Sequence, residues 1–164
     1  MLKQIEVKLM GLILDPVSNM PVMLLKPENL EKVIPIWIGV SEANSITISL
    51  EKIDSPRPMT HDLLNSVIEN LGYSVKKIFI KEVVNNTYYA ELHVERESTL
   101  KIIDCRPSDA VVIALKSGAG MYISDQVYQN FEVSGISNDF FDSEDKVENW
   151  FNSLSNEDFS EIEH

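Results

Sequence analysis

Residues 109–116 constrain the fold most. Their composition predicts a helix whose own side chains are apolar on all sides. Residues 110–115 read Ala-Val-Val-Ile-Ala-Leu and offer no polar face. A helix that is apolar all round is buried inside a protein. Pro107 or Ser108 is predicted to open this helix, and Gly118 to end it. The fold must therefore bury this segment.

Strand-like and helix-like segments alternate along the rest of the chain. Apolar runs predict strands at residues 5–9, 22–25, 34–38, 75–84, 87–95, 99–105 and 121–124. Apolar residues at helical spacing predict one helix capped by Ser41 and a second capped by Thr60 and ended by Gly72. This mixed order predicts an α+β (mixed α/β) fold, in which about three to four helices pack on a mixed sheet.

Acidic residues are concentrated near the C-terminal end. The chain has 14 basic and 26 acidic residues and a formal net charge of −12, which argues against binding nucleic acid through bulk charge. Nine of the acids, but only one base, lie after residue 136. Val147, Trp150, Phe151 and Leu154 fall there at the spacing of an amphipathic helix. We therefore predict a domain at residues 1–135 and an acidic helical tail at residues 136–164, which docks on the domain or on a partner.

Several classes of protein do not fit this sequence. The longest stretch without a charge is far shorter than a membrane-spanning helix, and the first ten residues resemble no signal peptide, so we expect a cytoplasmic protein with no membrane contact. A single cysteine excludes an intrachain disulfide and a cysteine-based zinc site. Cys105 is either a nucleophile or, as its place at the end of an apolar strand favours, a small buried hydrophobe.

Two segments share one local design, residues 57–62 (Arg-Pro-Met-Thr-His-Asp) and residues 104–110 (Asp-Cys-Arg-Pro-Ser-Asp-Ala). In each, an arginine precedes a proline, a hydroxyl residue follows, and an aspartate lies in the first predicted helical turn. A helix N-terminus attracts anions, and the fork of an arginine side chain matches phosphate oxygens. This design predicts phosphate-binding roles for Arg57, Thr60, Arg106 and Ser108.

Carboxylates in and near these segments predict a divalent-cation site. Asp62, Asp104 and Asp109 offer the hard oxygen ligands that Mg²⁺ or Mn²⁺ prefers. Glu42 adds a fourth carboxylate at the start of another predicted helix. Arginines for phosphate and carboxylates for a metal ion are the components of metal-assisted phosphodiester cleavage.

A purely structural interpretation accounts for the same residues, and spacing alone favours it. Thr60 and Ser108 suit helix caps, and Glu42 in a first turn complements the helix dipole whatever the function. His61 at a helix start would simply be solvated. The two arginines would then pair with nearby aspartates and lock two loops together.

The order of these motifs resembles the bifunctional nuclease (BFN) domain family over about residues 1–130. The resemblance rests on residues 34–39 leading to Glu42-Ala43, on residues 57–63, on Tyr89-Ala90 and on residues 104–110. It implies a domain that cleaves both DNA and RNA. By position, the polar residues that it marks are Glu42, Arg57, Thr60, His61, Asp62, Asp104, Arg106, Ser108 and Asp109.

The first functional hypothesis is a divalent-metal-dependent nuclease that acts on DNA or RNA. Asp62, Asp104 and Asp109 would hold Mg²⁺ or Mn²⁺ or activate water, with Glu42 in support, and His61 would be the general acid or base. The hypothesis requires the two distant segments to line one cavity.

Two alternatives stay open. The same residues could bind a nucleotide or a phosphorylated metabolite without cleaving it, in a regulatory module. The chain could also be an assembly protein that uses the apolar face at residues 147–154. We also expect a homo-oligomer, namely a dimer.

Overall fold

A computed structural model describes residues 3–15 and 18–131, and this part of the chain forms one mixed sheet with four helices. This architecture confirms the predicted α+β class. The strands are β1 (Gln4–Leu14), β2 (Pro21–Pro27), β3 (Ile34–Trp37), β4 (Ser74–Val84), β5 (Thr87–Arg96), β6 (Thr99–Cys105) and β7 (Gly120–Ser124). The helices are α1 (Val40–Leu50), α2 (Thr60–Asn70), α3 (Pro107–Ser117) and α4 (Asp125–Asn130).

The sheet joins two antiparallel meanders through one late strand. Its order is β3-β2-β1-β7-β4-β5-β6. Strands β1 to β3 pair antiparallel in sequence, and so do β4 to β6. Strand β7 lies between the two meanders, antiparallel to β1 and parallel to β4. The sheet is therefore mixed, as predicted, with its single parallel pair near the centre of the described strands.

Helix α3 is enclosed, which confirms the inference from its apolar composition. Val111, Val112 and Ile113 are each at most 1% exposed. They join a core with the apolar faces of the neighbouring strands, for example Ile78 and Ile80 of β4. The αL conformation of Gly118 (φ +71°) ends the helix, as the sequence predicts.

The predicted helix caps are wrong in detail. Gly39 is the N-cap of α1, Met59 that of α2 and Arg106 that of α3, and none of these helices has the side-chain cap predicted for Ser41, Thr60 or Ser108. Pro107 opens α3 as predicted. A side chain caps a helix only from the residue just before its first turn, whereas these hydroxyl residues lie inside the first turns.

The helix starts share another feature, which the sequence analysis placed only as an acid in the first helical turn. Counted from the observed N-caps, Glu42, Asp62 and Asp109 all occupy the third helical position. A carboxylate there faces the unpaired N–H groups and the positive end of the helix dipole. Helices α1, α2 and α3 are therefore each stabilised at the start by a carboxylate, whereas the hydroxyl group of Ser124 caps α4.

The predicted acidic tail at residues 136–164, including the apolar face at 147–154, lies outside the described residues and stays a prediction. The short helix α4 was not predicted, because its six residues give too little periodicity to recognise. Within residues 3–15 and 18–131, no helix has the length and apolar character needed to cross a membrane.

Candidate functional site

The N-terminal turns of α1, α2 and α3 meet around one surface cavity of about 230 Å³. The three carboxylates at the third helical positions, Glu42, Asp62 and Asp109, all line this cavity. His61 and Arg106 line it as well. The two Arg-Pro segments therefore contribute to one cavity, although they are more than forty residues apart in sequence.

Arg106 connects two of the carboxylates. Its Nε donates to Oδ2 of Asp109 at 2.7 Å and its Nη2 to Oδ1 at 3.1 Å, while its Nη1 donates to Oε1 of Glu42 at 2.6 Å. These bonds raise the pKa of Arg106, with Asp109 as the larger cause. They use three of the five guanidinium N–H groups. The remaining two have no partner within the described ranges, so they are available to an anionic ligand.

Asp109 also orients His61. Its Oδ1 lies 2.8 Å from Nε2 of His61, whose side chain is 17% exposed. Burial acts to raise the pKa of Asp109, but hydrogen bonds from Arg106 and His61 outweigh it and leave that pKa lowered. An ionised carboxylate only accepts hydrogen bonds, so Nε2 of His61 must carry the proton in this pair. In the neutral form of the ring, Nδ1 is then the basic nitrogen.

Asp62 is held by a different cation. Lys116, in the last turn of α3, donates from Nζ to Oδ1 of Asp62 at 2.5 Å, and the backbone N–H of Met59 donates to Oδ2 at 2.9 Å. These two bonds, the one from Lys116 first, lower the pKa of Asp62. The pKa of Glu42 is lowered too, first by its own backbone N–H and then by Arg106. All three carboxylates of the cavity are therefore charged at neutral pH.

Arg57 lies in an adjoining groove rather than in the cavity. This open groove of about 510 Å³ shares Asp62 and Lys116 with the cavity. Lys52 and Arg57 line this groove. Neither side chain forms an ion pair or a hydrogen bond with the described residues. The predicted pairing with a nearby aspartate is thus observed for Arg106, which bonds to Asp109, but not for Arg57.

The two hydroxyl residues predicted to bind phosphate lie in different places. Thr60 lines the cavity, whereas Ser108 is 5% exposed and lines a separate pocket with Arg106 and the end of β3. The sequence analysis missed Lys116 and the serines of α1 that line the cavity, Ser41, Ser45 and Ser49. The four-residue spacing of those serines, which puts them on one face of a helix, was the available signal.

Asp104 is not part of the cavity, and the prediction that it joins Asp62 and Asp109 there is wrong. It is opposite Glu91 in the β5–β6 register, whereas its neighbour Cys105 is opposite the core residue Ala90. Because successive strand residues point to opposite faces, Asp104 lies on the sheet face away from the helices. Asp62 and Asp109 are on the helix side.

The predicted metal-binding trio is therefore not assembled. In the ranges that the structure describes, no group of three or more His, Cys, Asp or Glu residues is arranged to hold a metal ion. Asp62 and Asp109 are also occupied by Lys116 and Arg106. The use of Mg²⁺ or Mn²⁺ stays a prediction, and the described residues do not supply a set of ligands for the ion.

Cys105 behaves as a partly buried apolar residue. Burial raises the pKa of its thiol to about 12, and nearby Asp104 and Asp109 add to the effect. It packs against the main core. A thiol with such a pKa is protonated at neutral pH, so Cys105 is unsuited to act as a nucleophile.

The fold and the cavity define an α+β domain that carries a histidine–aspartate–arginine cluster at the junction of three helix starts. A model of the bifunctional nuclease domain matches residues 22–135. The chain therefore belongs to the bifunctional nuclease domain family.

Individual proteins are similar to this chain as well. An uncharacterised protein of Mycobacterium tuberculosis (strain H37Rv) is 38% identical over 122 residues, which cover 74% of this chain and 73% of that protein. Bifunctional nuclease 1 of Oryza sativa subsp. japonica is 24% identical over 120 residues, which cover 71% of this chain but 36% of the rice protein. Bifunctional nuclease 2 of the same subspecies is 28% identical over 100 residues, 58% of this chain and 31% of that protein.

Proposed function

We propose that this chain cleaves phosphodiester bonds of DNA or RNA in the cavity between α1, α2 and α3. The observation that carries the proposal is the His61–Asp109–Arg106 cluster on the cavity wall, with its bonds of 2.7 to 3.1 Å. The membership of the family, together with the names of the rice relatives, supports nucleic acid as the substrate class.

In this proposal His61 is the general base. Asp109 accepts the proton-bearing Nε2, so Nδ1 of the neutral ring takes a proton from the attacking water or hydroxyl group. A histidine positioned by a carboxylate contributes about 10²–10⁴-fold to such a reaction. Arg106 offers its two remaining N–H groups to phosphate oxygens and stabilises the charge that develops there.

Lys52 and Arg57 would hold the substrate on one side of the reacting bond. Their side chains lack partners among the described residues, and their groove shares Asp62 and Lys116 with the cavity. Phosphates next to the reacting one would bind to these two cations. This attraction would compensate in part for the repulsion between the substrate and the negatively charged chain. Thr60 would add a hydroxyl donor inside the cavity.

The proposal is tested with the highly purified full-length chain and labelled single-stranded DNA and RNA. His61→Asn should lower the cleavage rate about 10²–10⁴-fold. His93→Asn is the matched control, because Nε2 of His93 also lies 3.0 Å from a carboxylate, that of Glu91, but this pair belongs to the other face of the sheet. Equal rates for wild type and His61→Asn would assign the observed cleavage to a contaminant.

A chelator separates the metal prediction from the rest. Cleavage that stops in EDTA and returns with Mg²⁺ or Mn²⁺ supports the predicted cofactor. Cleavage that continues in EDTA and is lost in His61→Asn shows that the described cluster acts without a metal ion.

The alternative is a phosphate-binding or nucleotide-binding module that does not cleave its ligand. The ion pairing of Glu42, Asp62 and Asp109 favours it, because each carboxylate is already held by a cation. Thermal stabilisation by oligonucleotides or nucleotides without product formation would select this function.

A further inference from the structure

A second pocket adjoins the candidate cavity, and we call it the side pocket. Its volume is about 420 Å³, and it is lined by the end of β3, the turn from β4 to β5 and the starts of α1 and α3. Glu42 and Arg106 line both the side pocket and the cavity. Their ion pair therefore forms the boundary between the two, and a group bound to Arg106 lies next to both.

The open edge of β3 presents a backbone donor and a backbone acceptor. This strand is at one end of the sheet order and pairs only with β2 among the described strands. The N–H of Ile38 donates to the carbonyl oxygen of Pro21 at 3.0 Å, and hydrogen-bonded pairs alternate with non-bonded pairs along an antiparallel ladder. The N–H and C=O of Trp37 therefore point away from β2. The carbonyl group of Pro35 points the same way, because it accepts a hydrogen bond from the hydroxyl group of Tyr88 at 3.4 Å.

The indole ring of Trp37 extends in the opposite direction. Its Nε1 donates to Oδ2 of Asp15 at 3.0 Å, and Asp15 follows β1, on the far side of β2. The backbone of Trp37 is therefore the part that borders the side pocket. Every nucleobase carries a hydrogen-bond donor and an acceptor side by side on its edge. Such an edge can bond to the N–H and C=O of Trp37 together.

Two side chains of the side pocket also suit a flat ring with polar edges. Ser108 is only 5% exposed, and its hydroxyl group has no hydrogen bond with the described residues. A buried hydroxyl group without a partner is unfavourable, and a ligand in the pocket that bonds to it removes this cost. Tyr88 lines the same pocket, and its bond to Pro35 holds it beside β3. Aromatic side chains stack on nucleobases of any sequence.

We propose that the side pocket binds a nucleobase, the one next to the phosphate that Arg106 holds. The backbone of Trp37 bonds to the edge of the base, Ser108 adds a hydrogen bond, and Tyr88 stacks on the ring. Because every base offers a neighbouring donor and acceptor, the pocket requires a base without selecting which one. The inference rests on the proposed function only in placing a nucleic-acid phosphate at Arg106.

The first test compares AMP with ribose 5-phosphate as ligands of the full-length chain, by calorimetry or by NMR titration. The two ligands share the sugar and the phosphate, so the difference in affinity reports the base alone. AMP should bind at least about tenfold more tightly. A single-stranded oligonucleotide should displace AMP. If AMP stays bound, the pocket serves a free nucleotide rather than a strand, and the proposal fails.

Tyr88→Leu tests the stacking wall. It should lower the affinity for AMP about tenfold and leave that for ribose 5-phosphate unchanged, because leucine keeps an apolar contact with the core but provides no ring. Tyr89→Leu is the matched control. Tyr89 is the next residue of β5 and is 40% exposed, but it lies on the opposite face of the sheet and does not line the side pocket. Thermal unfolding checks that both variants fold.

Ser108→Ala tests the buried hydroxyl group. It should weaken the binding of AMP about fivefold through the loss of one hydrogen bond. The variant should unfold at the same temperature as the wild type or at a higher one, since the hydroxyl group has no partner among the described residues. A variant that keeps full affinity for AMP would remove Ser108 from the pocket's function.

A cleavage assay separates this inference from the proposed function. In an oligonucleotide with one abasic residue, cleavage at a bond beside that residue should fall about tenfold, and cleavage elsewhere should not change. A chain that binds AMP no more tightly than ribose 5-phosphate, or that binds neither at millimolar concentration, overturns the base pocket even if it cleaves DNA or RNA. Equal losses in Tyr88→Leu and Tyr89→Leu overturn it too. Base-dependent binding by a chain that cleaves neither nucleic acid instead overturns the nuclease function and supports the side pocket.

Discussion

The two Arg-Pro segments look alike in sequence and serve different purposes in the structure. Arg106 is the N-cap of α3, and Asp109 and Glu42 hold its guanidinium group. Arg57 lies two residues before the N-cap of α2, and its side chain has no ion pair with the described residues. The position of an arginine relative to the helix start, rather than the motif itself, decides whether it organises the site or stays available to a ligand.

The largest expected difference between the two arginines is in the rate of cleavage. Arg106→Ala should lower the rate of the proposed reaction about 100-fold, because it removes donors at the reacting phosphate and releases Asp109. Arg57→Ala should change the rate at saturating substrate only slightly. Rates measured at saturation on the same oligonucleotide decide this, and equal losses would show that both arginines act on the reacting group.

The next difference is in stability. Arg106→Ala should lower the free energy of unfolding by about 1–2 kcal/mol, because two carboxylates lose a charged donor while the site remains partly open to water. Arg57→Ala should change it by less than about 0.5 kcal/mol. Urea unfolding of both variants measures this. A larger effect for Arg57→Ala would contradict the observed pairing.

The dependence of stability on acid pH should also differ between Arg106→Ala and Arg57→Ala. The pKa values of Glu42, Asp62 and Asp109 are lowered in the folded chain from ordinary values of 4.5, 3.8 and 3.8. Groups with lowered folded pKa values contribute stability above their ordinary pKa and lose it as the pH falls through the lowered values. Stability should therefore be level above about pH 5 and decline below pH 4.5. The decline should be shallower in Arg106→Ala and unchanged in Arg57→Ala, as urea titrations at several pH values would show.

The smallest expected effect is on the salt dependence of binding. If Lys52 and Arg57 each contact a phosphate of a single strand, removing either should reduce the slope of log K against log salt by about 0.7. Lys32→Ala is the control, since Lys32 is exposed on the loop between β2 and β3 and lines neither the cavity nor the groove. Fluorescence anisotropy with the catalytically impaired His61→Asn chain measures the slopes. An unchanged slope in Arg57→Ala would remove the groove from the substrate path.

Much of the fold could be predicted from local pattern. The meander β4 to β6 matches the predicted strands to within one residue at each end, because alternation and the Asn85-Asn86 turn act over short distances. The burial of α3 followed from its composition. The insertion of β7 between β1 and β4 could not be predicted, since it depends on pairing between segments far apart in the chain.

The site could be predicted only in part. The sequence analysis named Arg106, Asp109, His61 and Glu42, and the structure brings them together. It misplaced Asp104, although the rule that strand residues alternate between faces would have separated it from its neighbour Cys105, which packs against the core. Whether Arg57 pairs with a carboxylate or stays available to a ligand could not be predicted from the sequence, because this depends on the exact start of α2. Helix boundaries are the least certain part of a sequence-based prediction.

The place of β7 in the sheet has a consequence for synthesis of the chain. The ribosome synthesises both meanders before residues 120–124. Until β7 is made, β1 and β4 therefore lack the strand that pairs with them at the inner edge of each meander. The core residue Ile123 belongs to this strand, which pairs with Ile5 on one side and Ile80 on the other. Nascent chains stalled before residue 120 should therefore be open to proteases, and resistance should arise abruptly once the strand has left the exit tunnel.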